Sequence, residues 1–427
     1  MSRYKSLAFL TRTVLGNLGL CELPSLDVAT LRSLVSGPRK DPNPFLDRVR
    51  ENEPVCWLPQ IDAWLITRHA HIRELLLDAR LTSDPRAHRR YTAPRDSSAA
   101  NWLTDMPFRA TPSDPKSTGR RLVSSAMTPR AVESAKDRIR EVVEEAASRL
   151  RHRSGVVDLI QEFTSPIAAT VIGRIAGVPP KGDDEVRFQR LARNATRAIR
   201  PFLSRRKRVE TERACADMCE YVSSLVRDRI ESPRADLISE MLLASDPKDP
   251  RTVRSIAAVV SGLVSAGTGT SGTACARALR TLFHHEDSMR RLRKDESLVP
   301  RAVDELLRYD SGLLVMPRYV LQPFHFGGKP LTKGQLVVLC LHSGNRDPRA
   351  FAKPDVLDFD RDTSSSLSFS HGGHYCIGAN LARATLVDML SAALELLPES
   401  ARLLDDRVRW SSRGMMSQIQ TLPVDFG

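Results

Sequence analysis

The sequence predicts a mostly helical protein with a small β part. Apolar residues recur at helical spacing through most of residues 130–245, again over 255–283, and again over 379–390. Runs with the β-branched and aromatic composition of strands are short and lie chiefly near 55–67 and 336–339. Helices therefore dominate the predicted architecture, and the strands are few and scattered.

Composition indicates a globular chain with a basic surface. Of the 427 residues 41% are apolar, and Lys+Arg 64 against Asp+Glu 51 gives a formal net charge of +13. Such a charge favours acidic partners. Aromatic residues make up only 5% and do not interleave with a basic run, so the sequence gives no support to nucleic-acid binding. We expect an N-terminal extension over 1–40 and a single domain over 41–427.

Cysteine usage indicates a reducing compartment, and we expect a cytoplasmic protein. The seven cysteines are odd in number, scattered, and contain no Cys-x-x-Cys pair. No apolar stretch reaches the roughly eighteen residues that a membrane span requires. The basic, amphipathic start over 1–15 predicts a helix packed on the body rather than a signal peptide.

The first third alternates short elements before the helical region begins. A turn at Asp41–Pro44 opens this part of the chain. The patterns then predict a helix, two strands, a helix and an extended run, at Phe45–Arg50, Val55–Trp57, Ala63–Thr67, His71–Leu77 and Leu81–Asp84. Residues 85–115 are irregular, and a loop of this length is usually functional. Further on, Gly177–Pro180 interrupts the helices, and the charge run Arg205–Arg208 predicts a solvated turn or helix end.

The stretch 255–283 supports two interpretations. Gly267-x-Gly269-x-x-Gly272 follows an apolar run and precedes a helical pattern, which is the fingerprint of a dinucleotide-binding loop. That loop also needs a second buried strand and an acidic residue about twenty positions on, and the sequence there is helical and charged. One long helix is the favoured prediction.

A ten-residue stretch, Phe369-Ser-His-Gly-Gly-His-Tyr-Cys-Ile-Gly378, holds the strongest chemical signal. Cys376 lies just before a predicted helix, whose N–H groups would stabilise a thiolate. Gly372 and Gly378 allow the backbone to approach a flat, bulky group, and Phe369 could shield the sulfur. This arrangement suits a single axial cysteine on a haem iron. A buried structural cysteine is the alternative.

These residues resemble the haem-binding loop of the cytochrome P-450 family, Phe-Gly-x-Gly-x-His-x-Cys-x-Gly-x-x-Leu-Ala-Arg. The matching positions are Phe369, Gly372, His374, Cys376, Gly378, Leu381, Ala382 and Arg383. Ser370 departs from the pattern, where a glycine is usual. The resemblance implies the P-450 fold, with haem b between a long central helix and the cysteine loop.

Other landmarks follow in the order of that family. Ala266-Gly267-Thr268-Gly269-Thr270 resembles the centre of the oxygen-side helix, with Gly269 in place of the usual acid. Glu305-x-x-Arg308 resembles the buried ion pair of the family, with Arg361 as its third partner. Lys116-x-x-x-Arg120 and Arg318 match positions that bind the haem propionates, although Lys116 replaces a histidine.

The resemblance implies a haem-thiolate monooxygenase that uses O₂ and oxidises a small organic substrate. Cys376 would be the metal ligand, and Lys116, Arg120, Arg318 and His374 would bind the cofactor. Because Gly269 cannot supply protons, we expect Thr270 with neighbouring hydroxyls and water to do so, or a polar group of the substrate.

The same resemblance implies partners and reaction types. Electrons would come from a ferredoxin or flavodoxin with its reductase, and an acidic carrier protein could present the substrate. Natural-product biosynthesis is the expected setting, with hydroxylation, or ring closure and coupling given the missing acid. The alternatives are a non-catalytic haem- or ligand-binding relative, and an NAD(P)-dependent dehydrogenase built on the glycine fingerprint.

Overall fold

The computed structural model describes residues 42–59, 62–90, 123–124, 127–178, 183–195, 205–246, 249–310, 312–412 and 416–427. The predicted extension 1–40, most of the 85–115 loop, and the pair Lys116 and Arg120 lie outside these residues. The predicted division into an extension and one domain therefore stays a prediction.

The first third follows the predicted order of elements. These are α1 (Asn43–Asn52), β1 (Val55–Leu58), β2 (Ala63–Ile66), α2 (His69–Leu77) and β3 (Leu81–Thr82). Helix α2 begins two residues earlier than the sequence indicates. The carboxylate of Asp347, far away in sequence, accepts a hydrogen bond from the His69 N–H at 3.0 Å and satisfies the start of this helix.

The described residues between 127 and 310 are almost entirely helical, which the sequence predicts for 130–245. The helices are α3 (Pro129–Ser134), α4 (Lys136–Ser148), α5 (Ser165–Ala176), α6 (Asp183–Ala195), α7 (Arg205–Glu231), α8 (Leu237–Leu243), α9 (Pro250–Phe283), α10 (Glu286–Lys294) and α11 (Val299–Asp310). The short strand β4 (Val156–Asp158) and a π-helical turn at Ile160–Thr164 precede α5. Gly177 ends α5 with φ 98°, and the Arg205–Arg208 run lies in the first turn of α7.

Helix α9 is continuous through all three glycines of the predicted fingerprint. A Cβ at Gly272 would lie 3.2 Å from the Thr164 carbonyl oxygen, and one at Gly267 would lie 3.2 Å from the Ile172 side chain. Both glycines therefore allow α9 to approach the elements around α5 closely. The favoured long-helix prediction is confirmed, and the strand–turn–helix of a dinucleotide loop is excluded here.

The main sheet is small and lies beside the helices. It continues in β5 (Met316–Val320) and β8 (Leu336–Leu339), and its strand order is β1-β2-β8-β5-β3. Strand β2 pairs with β8 in parallel, while β1–β2, β5–β8 and β3–β5 are antiparallel. Around it lie the hairpin β6 (Phe324–Phe326) with β7 (Lys329–Leu331) and the short helix α12 (Leu341–Asn345).

The C-terminal part returns to the helical body. Helix α13 (Ala379–Leu396) is followed by β9 (Arg402–Leu403), β10 (Arg409–Ser412), β11 (Ser417–Thr421) and β12 (Pro423–Asp425). Strand β12 pairs with β4 and β9, and β10 pairs with β11. The largest apolar core joins α4, α5, α9, α11 and α13. A mostly helical fold with a small β part is therefore confirmed.

Among the described residues, none of the helices combines the length and the apolar content needed to cross a bilayer.

Candidate active site

A cavity of about 460 Å³ separates the long helix α9 from the loop that carries Cys376. Helix α9 contributes one wall, which consists of Gly262, Leu263, Ala266, Thr270, Ser271 and Ala274. The residues around Cys376 form the facing wall, and Leu313, Met316 and Met416 close one end. The helix and the cysteine loop, which are about one hundred residues apart in the chain, therefore line one space, as the sequence predicts.

Cys376 lies at the start of α13 with its side chain exposed. Its N–H donates to the Phe369 carbonyl at 2.9 Å, and its own carbonyl accepts from the Ala379 N–H at 3.2 Å. Gly378 is the N-cap residue of α13. The first N–H groups of this eighteen-residue helix give a local positive field that favours a thiolate over a thiol.

Two residues of the cysteine loop have left-handed backbone conformations. Gly372 has φ 71°, and a Cβ there would lie 2.5 Å from Leu77 on α2. Ser370 also has a positive φ, 66°, although it carries a side chain. Its N–H donates to the Leu367 carbonyl at 2.8 Å. The serine that departs from the family pattern therefore adopts the conformation that a glycine adopts easily.

Arg318 is a buried cation on β5, two residues from the cavity-lining Met316. Its Nη1 donates to the adjacent Pro317 carbonyl at 2.9 Å, while Nη2 is buried and has no hydrogen-bond partner among the described residues. Burial lowers the pKa of Arg318 to about 10. A buried guanidinium in this state requires an anion. The carboxylate of a haem propionate fits that requirement, so the donor set suits the cofactor.

Three of the remaining predicted cofactor residues in the described region lie in the cavity wall, whereas Gly378 does not line it. Phe369, His374 and Cys376 all line it. Among the described residues, there is no group of three or more His, Cys, Asp or Glu side chains that could hold a metal ion.

Thr270 and Ala266 are exposed to the cavity on one face of α9. The Thr270 hydroxyl donates to the Ala266 carbonyl at 2.6 Å, which is a bond within the helix. Its oxygen can still accept a hydrogen bond from water or from substrate. Gly269 has no side chain, so position 269 has no carboxylate or hydroxyl to offer a proton.

A buried ion-pair network fixes α11 beneath the cavity. Arg308 donates to both oxygens of Glu305, at 2.7 and 2.8 Å, and to the Asn345 carbonyl at 2.8 Å. Arg361 donates to Glu305 at 3.1 Å. Glu305 and Arg308 are 1% and 0% exposed. The predicted three-membered network is therefore present, and an interpretation as a surface salt bridge is wrong for this pair.

Sequence reasoning missed part of the cavity wall. Leu263 lies on the same face of α9 as Ala266 and Thr270, three and seven residues away, and helical periodicity could have found it. Leu307 and Leu386 belong to other helices, and only the tertiary packing brings them to the cavity. Leu313 and Met416, by contrast, lie in stretches that the family resemblance implies as pocket lining; both line the cavity, and they form a β-bridge with each other.

Comparison with known proteins agrees with this fold and site. The sequence model described as Cytochrome P450 matches residues 52–397. Cytochrome P450 107B1 of Saccharopolyspora erythraea is 31% identical over 390 residues, which cover 89% of this chain and 94% of the relative. Mycinamicin IV hydroxylase/epoxidase of Micromonospora griseorubida is 30% identical, with 88% and 93% covered.

Solved structures show the same relationship. P450BioI in complex with a hexadec-9Z-enoic acid ligated acyl carrier protein superposes with a TM-score of 0.81 at 28% identity, covering 94% of this chain and 100% of that one. The fold is that of a helical oxidoreductase. The chain belongs to the cytochrome P450 family, and it is a cytochrome P450 monooxygenase. The family implies a haem-iron cofactor.

Proposed function

We propose that this protein holds haem b through the Cys376 thiolate and oxidises a small, largely apolar molecule in natural-product biosynthesis. The observation that carries the proposal is the exposed Cys376 at the start of α13, facing the cavity that α9 also lines. A thiolate-ligated haem, when bound, supplies the activation of O₂. The protein must then anchor the haem, exclude water from the cavity and supply protons.

Anchoring falls to cations around the cavity. Arg318, with one buried N–H group lacking a partner among the described residues, would bind one propionate by charge-assisted hydrogen bonds. His374 in the cavity wall would contribute to binding the cofactor. Lys116 and Arg120, outside the described residues, stay predicted partners for the propionates.

Proton supply would depend on Thr270. Its hydroxyl donates to the Ala266 carbonyl and can accept a hydrogen bond from a cavity water. Rotation of the hydroxyl would pass a proton onward without a carboxylate at position 269. A weaker proton supply also suits ring closure or coupling, which joins hydroxylation as a proposed outcome.

The substrate is proposed from the walls of the cavity and from the relatives. Leu263, Leu313, Met316 and Met416 give an apolar surface, and methionines adapt to irregular shapes. One relative is named a hydroxylase/epoxidase of mycinamicin IV, and one structural neighbour is complexed with a loaded acyl carrier protein. A macrolide-like or carrier-bound substrate is therefore the class to screen first.

The proposed electron donor is an acidic ferredoxin or flavodoxin with its reductase. The net charge of +13 would steer such a partner and would equally suit an acidic carrier protein. The odd, scattered cysteines support a cytoplasmic setting.

The test is the absorption spectrum of the purified protein after reduction and exposure to carbon monoxide. We expect the strongly red-shifted Soret band of a haem–thiolate complex, and we expect Cys376→Ala to abolish it. Cys219→Ala is the matched control, because Cys219 is half-buried on α7 and does not line the cavity. A red-shifted band that survives in Cys376→Ala would refute the proposal.

A further inference from the structure

Arg383 on α13 connects the cysteine loop to helix α11. Its Nε donates to Asp304 at 2.6 Å, and its Nη1 donates to the Tyr375 hydroxyl at 3.3 Å. Its guanidinium carbon lies 4.6 Å from the centroid of the Phe369 ring. The Arg383 guanidinium therefore contacts the Asp304 carboxylate on α11 and, in the cysteine loop, the Tyr375 hydroxyl and the Phe369 ring.

The Arg383 side chain is only partly buried from solvent. The Arg383 and Asp304 side chains are 37% and 33% exposed. Burial lowers the pKa of Arg383, but the bonds to Asp304 and Tyr375 outweigh that effect and raise it. Arg383 therefore stays charged at every pH at which the protein is folded, and a cation over an aromatic face attracts the ring.

The two rings flank the backbone of Cys376. Tyr375 is its neighbour in sequence, and the Phe369 carbonyl accepts the Cys376 N–H at 2.9 Å. The ring centroids of Phe369 and Tyr375 are 6.3 Å apart, and both residues line the cavity with Cys376. A change at Arg383 would therefore act on two residues whose backbones adjoin Cys376.

We propose that Arg383 is a positioning residue that holds Phe369 and Tyr375 around Cys376 and whose charge, moderated by Asp304, sets the ease with which the haem–thiolate centre is reduced. The inference rests on the proposed function, because it needs a thiolate-ligated centre to act on. Reduction adds one negative charge near the sulfur. A nearby cation favours that state, and a nearby carboxylate opposes it.

The test is the midpoint potential of the haem-loaded protein, followed spectroscopically in a redox titration without substrate. Arg383→Gln removes the cation, and we expect a shift to more negative potential. Asp304→Asn leaves the cation uncompensated, and we expect a shift to more positive potential. Each shift should correspond to a roughly threefold to tenfold change in the reduction equilibrium, which is about 30–60 mV for one electron.

Further variants separate charge from packing. Arg383→Lys keeps the charge but loses the planar group over Phe369, so we expect a smaller potential shift than in Arg383→Gln. Tyr375→Phe removes only the hydroxyl that accepts from Arg383. Arg291→Gln is the matched control, because Arg291 donates to Asp360 at 2.8 Å and lies 5.9 Å from the Phe359 ring, and none of the three lines the cavity.

Shifts of opposite sign in Arg383→Gln and Asp304→Asn, with none in Arg291→Gln, would support the inference. Unchanged potentials, or shifts of the same sign, would overturn it. If Arg383→Gln does not fold, the nearly isosteric Asp304→Asn decides alone: a shift to more positive potential supports the inference, and an unchanged or more negative potential overturns it. A wild-type protein without the red-shifted carbon monoxide band would instead refute the proposed function, which is a separate result.

Discussion

Arg318 is a buried cation, and a bound anion would stabilise its charge. The polar group Nη2 is buried and unpartnered among the described residues, and burial lowers the pKa of the side chain to about 10. Such a group destabilises the folded chain until an anion binds. The haem-free chain would therefore be more stable without the charge of Arg318, whereas binding of the cofactor requires that charge.

Arg318→Leu is predicted to separate these two requirements. Haem affinity should fall by about tenfold to a hundredfold, which corresponds to the roughly 1.5–3 kcal/mol of a charge-assisted hydrogen bond. The haem-free protein should be at least as stable as the wild type, because the buried charge is gone. Haem titration and urea unfolding of the haem-free form measure the two effects. Unchanged haem affinity would contradict the role as an anion partner.

Thr270 is the residue on which proton supply is predicted to depend. In Thr270→Ala we expect turnover to fall by roughly a hundredfold, the lower end of what a positioned proton-transfer group contributes, and peroxide release to rise. Oxygen consumption, peroxide and product are measured together with a substrate found by its spin-state shift. Thr281→Ala, which removes a threonine hydroxyl from the same helix at a position that does not line the cavity, is the control. Unchanged turnover with unchanged peroxide release would remove Thr270 from the mechanism.

Helix α9 shows how an element is constrained by what packs against it. At Gly272 an added Cβ would meet backbone atoms, the Thr164 oxygen at 3.2 Å and the Ser165 Cα at 3.3 Å. At Gly267 it would meet only side-chain atoms, with the Ile172 Cγ1 at 3.2 Å. The two glycines have the same helical backbone but differ in how far their surroundings can adjust.

The paired substitutions Gly272→Ala and Gly267→Ala are predicted to differ in stability. Alanine is favoured over glycine in a helix by about 1 kcal/mol, so Gly267→Ala should be neutral or slightly stabilising. Gly272→Ala should destabilise by about 1–2 kcal/mol, because the backbone of the π-helical turn must move. Urea unfolding measures both. Equal effects at the two positions would contradict this view of the contact.

Most elements were predictable because their patterns are local. The strand Leu336–Leu339 and the start of α13 after Gly378 fall where the sequence places them. Element boundaries that depend on distant residues were not predictable. Helix α2 shows this, because the hydrogen bond from the His69 N–H to Asp347 sets where it begins. In the site, Cys376, Thr270 and the Glu305 network follow from motifs, whereas Leu307 and Leu386 depend on helix packing that no local pattern encodes.

At the scale of the whole molecule, buried histidines link stability to pH. His342 on α12 is fully enclosed, and its Nε2 lies 2.9 Å from the Asn43 side-chain oxygen on α1. Burial, aided by the nearby Arg346, lowers the pKa of His342 from 6.5 to about 3. The pKa of His69 is also lowered, chiefly by burial. Both residues are therefore neutral in the folded protein where they would be charged in the unfolded chain.

Stability is predicted to decrease as the pH falls below about 6.5. In that range the unfolded chain binds protons that the folded protein excludes, so the stabilisation present above pH 6.5 is lost toward pH 3. His342 alone should contribute a slope of about 1.4 kcal/mol per pH unit. Urea unfolding of haem-free protein from pH 7 to 5 measures it. His342→Gln should reduce the slope. His325→Gln is the control, because its side chain is exposed, and it should leave the slope unchanged. Equal slopes in the two variants would contradict the assignment of the pH dependence to His342.

The left-handed backbone at Ser370 bears on how relatives are recognised in genomes. The shape of this loop persists without its usual glycine, since the turn is closed by main-chain bonds from Ser370 to Leu367 and from Cys376 to Phe369. A pattern search that insisted on glycine would discard this chain and others like it. Surveys that weigh backbone shape beside residue identity would recover them, and would show whether serine at this point marks a separate branch of the family.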